Sequence, residues 1–507
     1  MPTLFDVVRD FSRMWPDKQA ILTQDDGHRT YGELAAHGGA VAHQFQHRFG
    51  FGLGDRACIW MRNRPQYIEC QLGMQAVGLA GVPTNPEWSD AELEFVLGHS
   101  RSRIIFTEAE RAERAVALAA AVDSVDAVVS VDEPVDGALL LADLIGEAPE
   151  GAGLDLPPVD GFVEGNVLYT SGTTTGRPKA VPMSPELFAG GAIPYEEMFG
   201  LSHADRSLVV TPLFHGNAMG GAMSALSRGA GVVMQRKFSV SRFWDLVDLY
   251  RPTYFLTLVP IVNILMTLPP SPIERSHSLR VMIPLGCAPI IDQIEERYGV
   301  PCMDWYGMTE AGSGTYTRLD EPRRPGSVGK PFEGSVLRIF LPDGSEAPTG
   351  EPGEICFLRS SIGFRGYIED AEATDAAISG DWFRTGDLGY VDDDGYLYFV
   401  DRQKDIVRRG GENLSTVEVE TALRTHPAVA DVAVVARPDQ VLGETVAAFV
   451  VVADGCDLPT EDELRAHTDG ELAPYKLPTT IEAIDKLPRT GTGKVEKFRL
   501  RQHFTGA

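Results

Sequence analysis

The sequence predicts a large layered α/β body that includes a β subdomain, followed by a small α+β domain at its C-terminal end. Three observations predict it. A chain of 507 residues with 43% hydrophobic content exceeds what one ordinary core holds. Short apolar runs alternate with helical segments up to about residue 400, the pattern of α/β layering. From Gly326 to Arg402 the texture then changes to short β-like runs split by Pro-Asp-Gly, Glu-Pro-Gly and Asp-Asp-Gly turns.

In chain order, Ala57 to Met61 reads as a strand and Ser89 to His99 as a helix, with Ser89 and Glu92 forming a capping box. Leu208–Thr211, Tyr254–Leu258 and Val281–Pro284 read as strands. Each runs into a loop of small or polar residues, where open α/β sheets present ligand sites. After the β subdomain, Ser415 and Glu418 open a helix, and Val429–Val435 and Thr445–Val452 are β-branched strands. Pro459–Leu472 is expected to be helical and Thr479–Ile484 a strand. The join between body and small domain falls in the charged run Asp401 to Asp405.

Lys plus Arg 45 against Asp plus Glu 72 leaves a net charge of −27, which repels nucleic acid and anionic lipid. Any anionic ligand must be held by local basic groups. The six cysteines show no CxxC pair or His-spaced cluster, which argues against disulfides and structural zinc. Asp6, Arg9 and Asp10 interrupt any signal-like apolar start, and no run of about 18 apolar residues suggests a membrane span. The expectation is a cytoplasmic protein with no nucleic-acid partner and no membrane insertion.

The most informative stretch is YTSGTTTGRPKAV, Tyr169 to Val181, led in by the apolar run Val167–Tyr169. Gly172 and Gly176 let backbone N–H groups turn inward as an anion nest, Thr170, Ser171, Thr173, Thr174 and Thr175 add hydroxyls, and Lys179 adds positive charge. It is not a Walker A loop, because Arg-Pro-Lys follows Gly176 and Pro178 would interrupt the helix such a loop opens. Alone, a flexible polar surface loop is the competing reading.

Five further strings follow: PLFHG at 212–216, LGCAP at 285–289, YGMTE at 306–310, RTGD at 384–387 with DRQKD at 401–405, and PRTGTGK at 488–494. Together and in order, over nearly the whole chain, they resemble the adenylate-forming superfamily of acyl-CoA synthetases, peptide-synthetase adenylation domains and luciferases. RGGEN at 409–413 is similar to medium-size carboxylate–CoA ligases, carnitine-type ones included.

The resemblance implies ATP, Mg²⁺ and coenzyme A as cofactors and a carboxylic acid as substrate, and it admits a homodimer. It divides the chain into a body over 1–401, a hinge at 402–405 and a mobile domain over 406–507. It implies that the threonine-rich loop, Thr174 included, holds the β and γ phosphates and that Glu310, next to Thr309, holds Mg²⁺. Asp387 is implied to bind the ribose hydroxyls with Arg402, Tyr306 to stack on adenine, and Gly286, Ala288 and Pro289 to form the slot beside it. Alone, Asp387 would be a turn aspartate and Tyr306 a core aromatic. Lys494 is implied to bridge carboxylate and α-phosphate, a task suited to a point charge on a flexible stem; the plain alternative is a solvated surface lysine. Lys404 matches the hinge position, and Arg409, Gly410 and Gly411 line the pantetheine side.

His215 borders the acid in the resemblance, with Gly216, Gly307, Met308 and Gly312 along the acyl tunnel. Acetate-activating relatives have tryptophan where this chain has Gly307, so a bulky or extended apolar acid is expected. The chain departs from the family by one extra threonine in the phosphate loop, by Ala180 after Lys179, and by Lys497 as the basic residue after Lys494. An acyl-CoA ligase is the leading expectation. Loading of a carrier-protein phosphopantetheine is the nearest alternative, ahead of light-emitting oxidation and of a silent nucleotide-binding scaffold.

Overall fold

The computed structural model describes residues 2–162, 164–170, 178–191, 193–402, 405–409, 412–439, 442–468, 472, 476–489 and 493–505. They fall into two compact units: Met1–Arg323 with Ile362–Ala376, and Arg324–Ser361 with Ala377–Ala507.

In the first unit, among the described residues, two mainly parallel sheets lie within helical layers. One runs Val281–Leu285, Tyr254–Leu258, Arg206–Val209, Gly231–Met234, Gln19–Thr23, Arg29–Thr30, with only the last pair antiparallel. The other runs Leu139–Leu140, Ala127–Ser130, Ile104–Thr107, Arg56–Trp60, Ala80–Pro83, Asn166–Thr170, Lys179–Met183, again with an antiparallel final pair. Inner strands such as Ile104–Thr107 and Gly231–Met234 are buried throughout, as expected of parallel sheets covered on both faces. Phe243, Phe255, Val262, Cys287 and Ile294 pack one such layer.

Local signals set the helix starts. Ser89 accepts from Glu92 N while the Glu92 side chain returns to the Ser89 backbone, the capping box expected for the helix Asp90–Ser100. Tyr254–Leu258 forms over the expected residues. The strand expected at 208–211 runs Arg206–Val209, because its register with Gly231–Met234 decides where pairing begins.

The second unit holds a β sheet of Leu337–Phe340, Gly353–Leu358, Trp382–Val391 and Ile378–Ser379, with Leu397–Arg402 on Trp382–Val391. A second sheet orders Glu412–Leu414, Val407–Arg409, Gly443–Val452 and Val429–Asp439, with Thr480–Ala483 parallel to Gly443–Val452. Ser415 caps the helix Thr416–Arg424 as its spacing to Glu418 predicts. The helix expected over 459–472 covers Glu461–His467 with Thr460 as its cap. Asp469 and Gly470, which follow Thr468, are poor helix formers. Among the described residues, no helix is long and apolar enough to cross a membrane.

Candidate active site

In the first unit the Gly/Ser/Thr-rich stretch connects an antiparallel hairpin. Asn166–Thr170 pairs with Lys179–Met183, and Thr170 stands opposite Lys179. The lysine therefore opens the second strand, at the foot of the loop. Ser171, Gly172, Thr173, Thr174, Thr175 and Gly176 lie outside the described residues. The Lys179 ammonium sits 4.7 Å from the centroid of the Tyr367 ring.

After Val281–Leu285 the chain turns through Gly286, in the left-handed region at φ 79°, into the short turn Ala288–Ile290 that contains Pro289. Asp304 fixes this turn from the side. Its Oδ1 accepts from Gly286 N at 2.9 Å and its Oδ2 from Ala288 N at 2.8 Å, while Trp305 N donates to Oδ1 at 2.8 Å. Burial pushes this carboxyl up to about 6, opposed by the same amide donors, which favour the ionised form.

Asp304 leads into the hairpin Trp305–Met308 and Gly312–Tyr316, in which Tyr306 is buried opposite Thr315. Thr309 and Glu310 lie in its turn. The Tyr367 hydroxyl donates to Glu310 Oε1 at 2.9 Å. A carboxylate has about four acceptor sites, so one donor leaves room for a cation. Among the described residues no group of three His, Cys, Asp or Glu side chains could hold a metal ion. Glu310 fits Mg²⁺ in the way this ion binds to nucleotide enzymes, through one or two carboxylates together with substrate phosphates.

His215 is the N-cap of the helix Gly216–Ser227, and its ring lies 4.2 Å from that of Phe214. The positive end of a helix suits a carboxylate. Asn63 pins the preceding turn, donating to Thr211 O at 2.9 Å and accepting from Leu213 N at 2.8 Å. Beside this helix Tyr195 packs against Trp305 and Tyr254 at 6.0 and 6.3 Å, and a Cβ on Gly220 would come within 3.3 Å of the Tyr195 hydroxyl. A Cβ on Gly307 would meet Gly312 O at 2.3 Å, at the register shift in the hairpin where Gly307 stands opposite Ser313. Close backbone approach thus accounts for that glycine by itself.

In the second unit Asp387 stands opposite Arg402, whose Nε lies 3.3 Å from its Oδ1, and only 4% of Asp387 is exposed. Lys404, Gly410 and Gly411 lie outside the described residues. Arg409 donates to Leu477 O at 3.5 Å. Lys494 is exposed on a loop held at its base: Arg489 pairs with Asp431 and donates to Gly493 O. Lys497 sits 2.9 Å from Glu420 Oε1 and donates to Thr416 Oγ1 at 2.6 Å, which makes it an anchor of this loop. Asp401 Oδ2 accepts from Thr416 N at 2.7 Å and from Thr416 Oγ1 at 2.8 Å, joining the β sheet to the first helix of the C-terminal segment.

Asp304, Tyr367, Asn63 and Asp401 escape a reading of the sequence. Their only signals are an acid two residues ahead of Tyr306, a Gly-Tyr pair, a polar residue after a strand and the first letter of DRQKD.

The family model of the AMP-binding enzyme matches residues 8–368, and that of the AMP-binding enzyme C-terminal domain matches 418–494. The sulfoacetate–CoA ligase of Cupriavidus necator is 33% identical over 99% of this chain and 99% of its own. The anthranilate CoA ligase AuaEII, solved in complex with anthranoyl-AMP, superposes with a TM-score of 0.89 at 26% identity, covering 99% of this chain and 97% of its own. ATP-bound MatB from Rhodopseudomonas palustris gives 0.87 at 27% identity over 98% and 99%.

Proposed function

The chain belongs to the AMP-binding enzymes and is an AMP-forming acid–CoA ligase with ATP and CoA as substrates, and from that premise we propose how its residues divide the work. A carboxylate oxygen attacks the α-phosphorus of ATP, the bond to the β-phosphate breaks, and pyrophosphate leaves. The CoA thiol then attacks the acyl carbon and AMP leaves. Both steps place charge on oxygens, so the protein's contribution is positioning and electrostatic stabilisation.

The observation that carries the assignment is the hairpin Trp305–Tyr316. Asp304 at its base shapes the Gly286–Ala288 turn, and Glu310 at its tip offers a carboxylate beside Lys179 and Tyr367. One hairpin thereby braces the turn proposed as the purine slot and carries the proposed cation ligand. Mg²⁺ on Glu310 would neutralise phosphate charge when bound. Asp387 and Arg402 take the ribose, the loop from Thr170 to Gly176 takes the β and γ phosphates, and Lys494 serves the first half-reaction. Lys404 is the pivot that lets the C-terminal segment turn between the two steps. Lys404→Pro, which fixes φ, is expected to slow thioester formation several-fold more than pyrophosphate exchange. Equal rates in both assays, compared with wild type, would remove the pivot.

The acid is proposed to be bulky or extended and apolar. Support comes from the buried aromatic cluster of Tyr195, Trp305 and Tyr254 beside Gly220, and from the likeness to an anthranilate ligase. Gly307 adds nothing to it. The high negative charge and the free thiols suit a cytoplasmic enzyme. A panel of carboxylic acids, scored by AMP release with and without CoA, tests this reading. Aromatic or long-chain acids should give CoA-dependent AMP release. Turnover confined to small dianionic acids such as sulfoacetate would overturn the apolar assignment, and transfer to a phosphopantetheinyl protein in preference to CoA would move the thiol acceptor to a carrier.

A further inference from the structure

We propose that Tyr367 is a positioning residue that sets the cation ligand Glu310 and the phosphate-loop lysine Lys179 relative to each other. This rests on the nucleotide reading above.

Tyr367 belongs to the stretch Ile362–Ala376, which packs in the first unit although its sequence neighbours on both sides belong to the second. Its position is fixed from several directions. Gly366 takes φ 106°, and a Cβ there would lie 2.8 Å from Thr374 Cγ2. Tyr367 N donates to Thr374 Oγ1 at 2.9 Å, and Ile368 N donates to Ala180 O at 3.0 Å, tying the turn to the residue after Lys179. Phe364 packs on the ring edge at 5.3 Å.

From this seat the side chain makes two contacts of different kinds. Its hydroxyl donates to Glu310 Oε1 at 2.9 Å, and its face carries the Lys179 ammonium at 4.7 Å. Among the described residues no ion pair joins Lys179 to Glu310 directly. With the ring between them, each charge keeps its capacity for an oxygen ligand, Lys179 for phosphate and Glu310 for a cation. Partners that orient a metal ligand in this way are typically worth about 10- to 100-fold in metal affinity.

The test is Mn²⁺ binding in the presence of ATP, followed by electron paramagnetic resonance, on wild type, Tyr367→Phe, Glu310→Gln and the double variant. Tyr367→Phe keeps the ring and its volume and removes only the hydroxyl. It is expected to weaken Mn²⁺ binding about 10-fold with an unchanged melting temperature, and to add nothing in the Glu310→Gln background. Tyr367→Leu should also weaken ATP binding measured calorimetrically without metal, because Lys179 loses its seat. Unchanged Mn²⁺ affinity in Tyr367→Phe, or full additivity with Glu310→Gln, would overturn the proposal. Wild-type protein that binds Mn²⁺ with ATP but releases no AMP with any acid would sink the proposed function alone. Wild type that binds neither would end both.

Discussion

Replacement of Lys494 by alanine is expected to lower carboxylate-dependent exchange of pyrophosphate into ATP by about 10²- to 10³-fold, the usual effect of deleting one group aimed at developing charge. Thioester formation from preformed acyl adenylate should keep most of its rate, because the second step forms no bond at the α-phosphate. The fold should survive. Lys494 is exposed, and the base of its loop is held by others, Arg489 on Asp431 and Gly493 O, and Lys497 on Glu420 and Thr416. A pair of assays, exchange and single-turnover thiolysis, checks the split. Comparable losses in both would show that Lys494 serves the structure or both steps, and the assignment would fail.

The second large effect is expected at Asp304. The Gly286 and Ala288 amides each donate to a different oxygen of Asp304, and the carboxylate takes both from a fully buried position. Asparagine would turn an N–H donor against one of those amides, and hydrogen bonds to a charged group are worth about 1.5–3 kcal/mol each. Asp304→Asn should therefore raise the KM for ATP by about 10- to 100-fold, with a smaller change in kcat.

The same geometry sets a pH dependence. The folded carboxyl titrates near 6, above its ordinary 3.8, so the folded chain binds more protons in that interval and loses stability as pH rises through it. The ionised form costs about 3 kcal/mol at neutral pH, which suggests that its shape-holding role offsets the penalty. The titratable groups around it, Cys287 and Cys302, are thiols that burial keeps neutral. Below about pH 6 Asp304 takes up a proton and one oxygen becomes a donor facing an amide. The KM for ATP should rise as pH falls through 6 in wild type and show no such inflection in Asp304→Asn. An identical acid limb in both proteins would assign the titration to another group.

What could be read from the sequence was local. The capping pairs Ser89 with Glu92 and Ser415 with Glu418, and the strand Tyr254–Leu258, formed where spacing and a short apolar run put them, since each depends on neighbours within a few residues. The family strings were equally visible, because a glycine-rich loop or a YGMTE turn carries its chemistry in consecutive letters. Where the reading fell short, other local features decided. Helix Glu461–His467 stops ahead of the poor helix formers Asp469 and Gly470, and a Cβ on Gly307 would meet Gly312 O across its own hairpin.

The sequence by itself determined the layered α/β class through periodicity and caps, and the reaction through the family resemblance that its contiguous motifs carry. Only the tertiary structure decided that Asp304 holds a turn 16 to 18 residues away, and that Tyr367 reaches Glu310 across 57 positions while seating Lys179. The reason is physical. Hydrogen bonds and ring contacts act over a few ångströms of space, and chain closure brings such groups together without leaving any spacing rule in the order of residues.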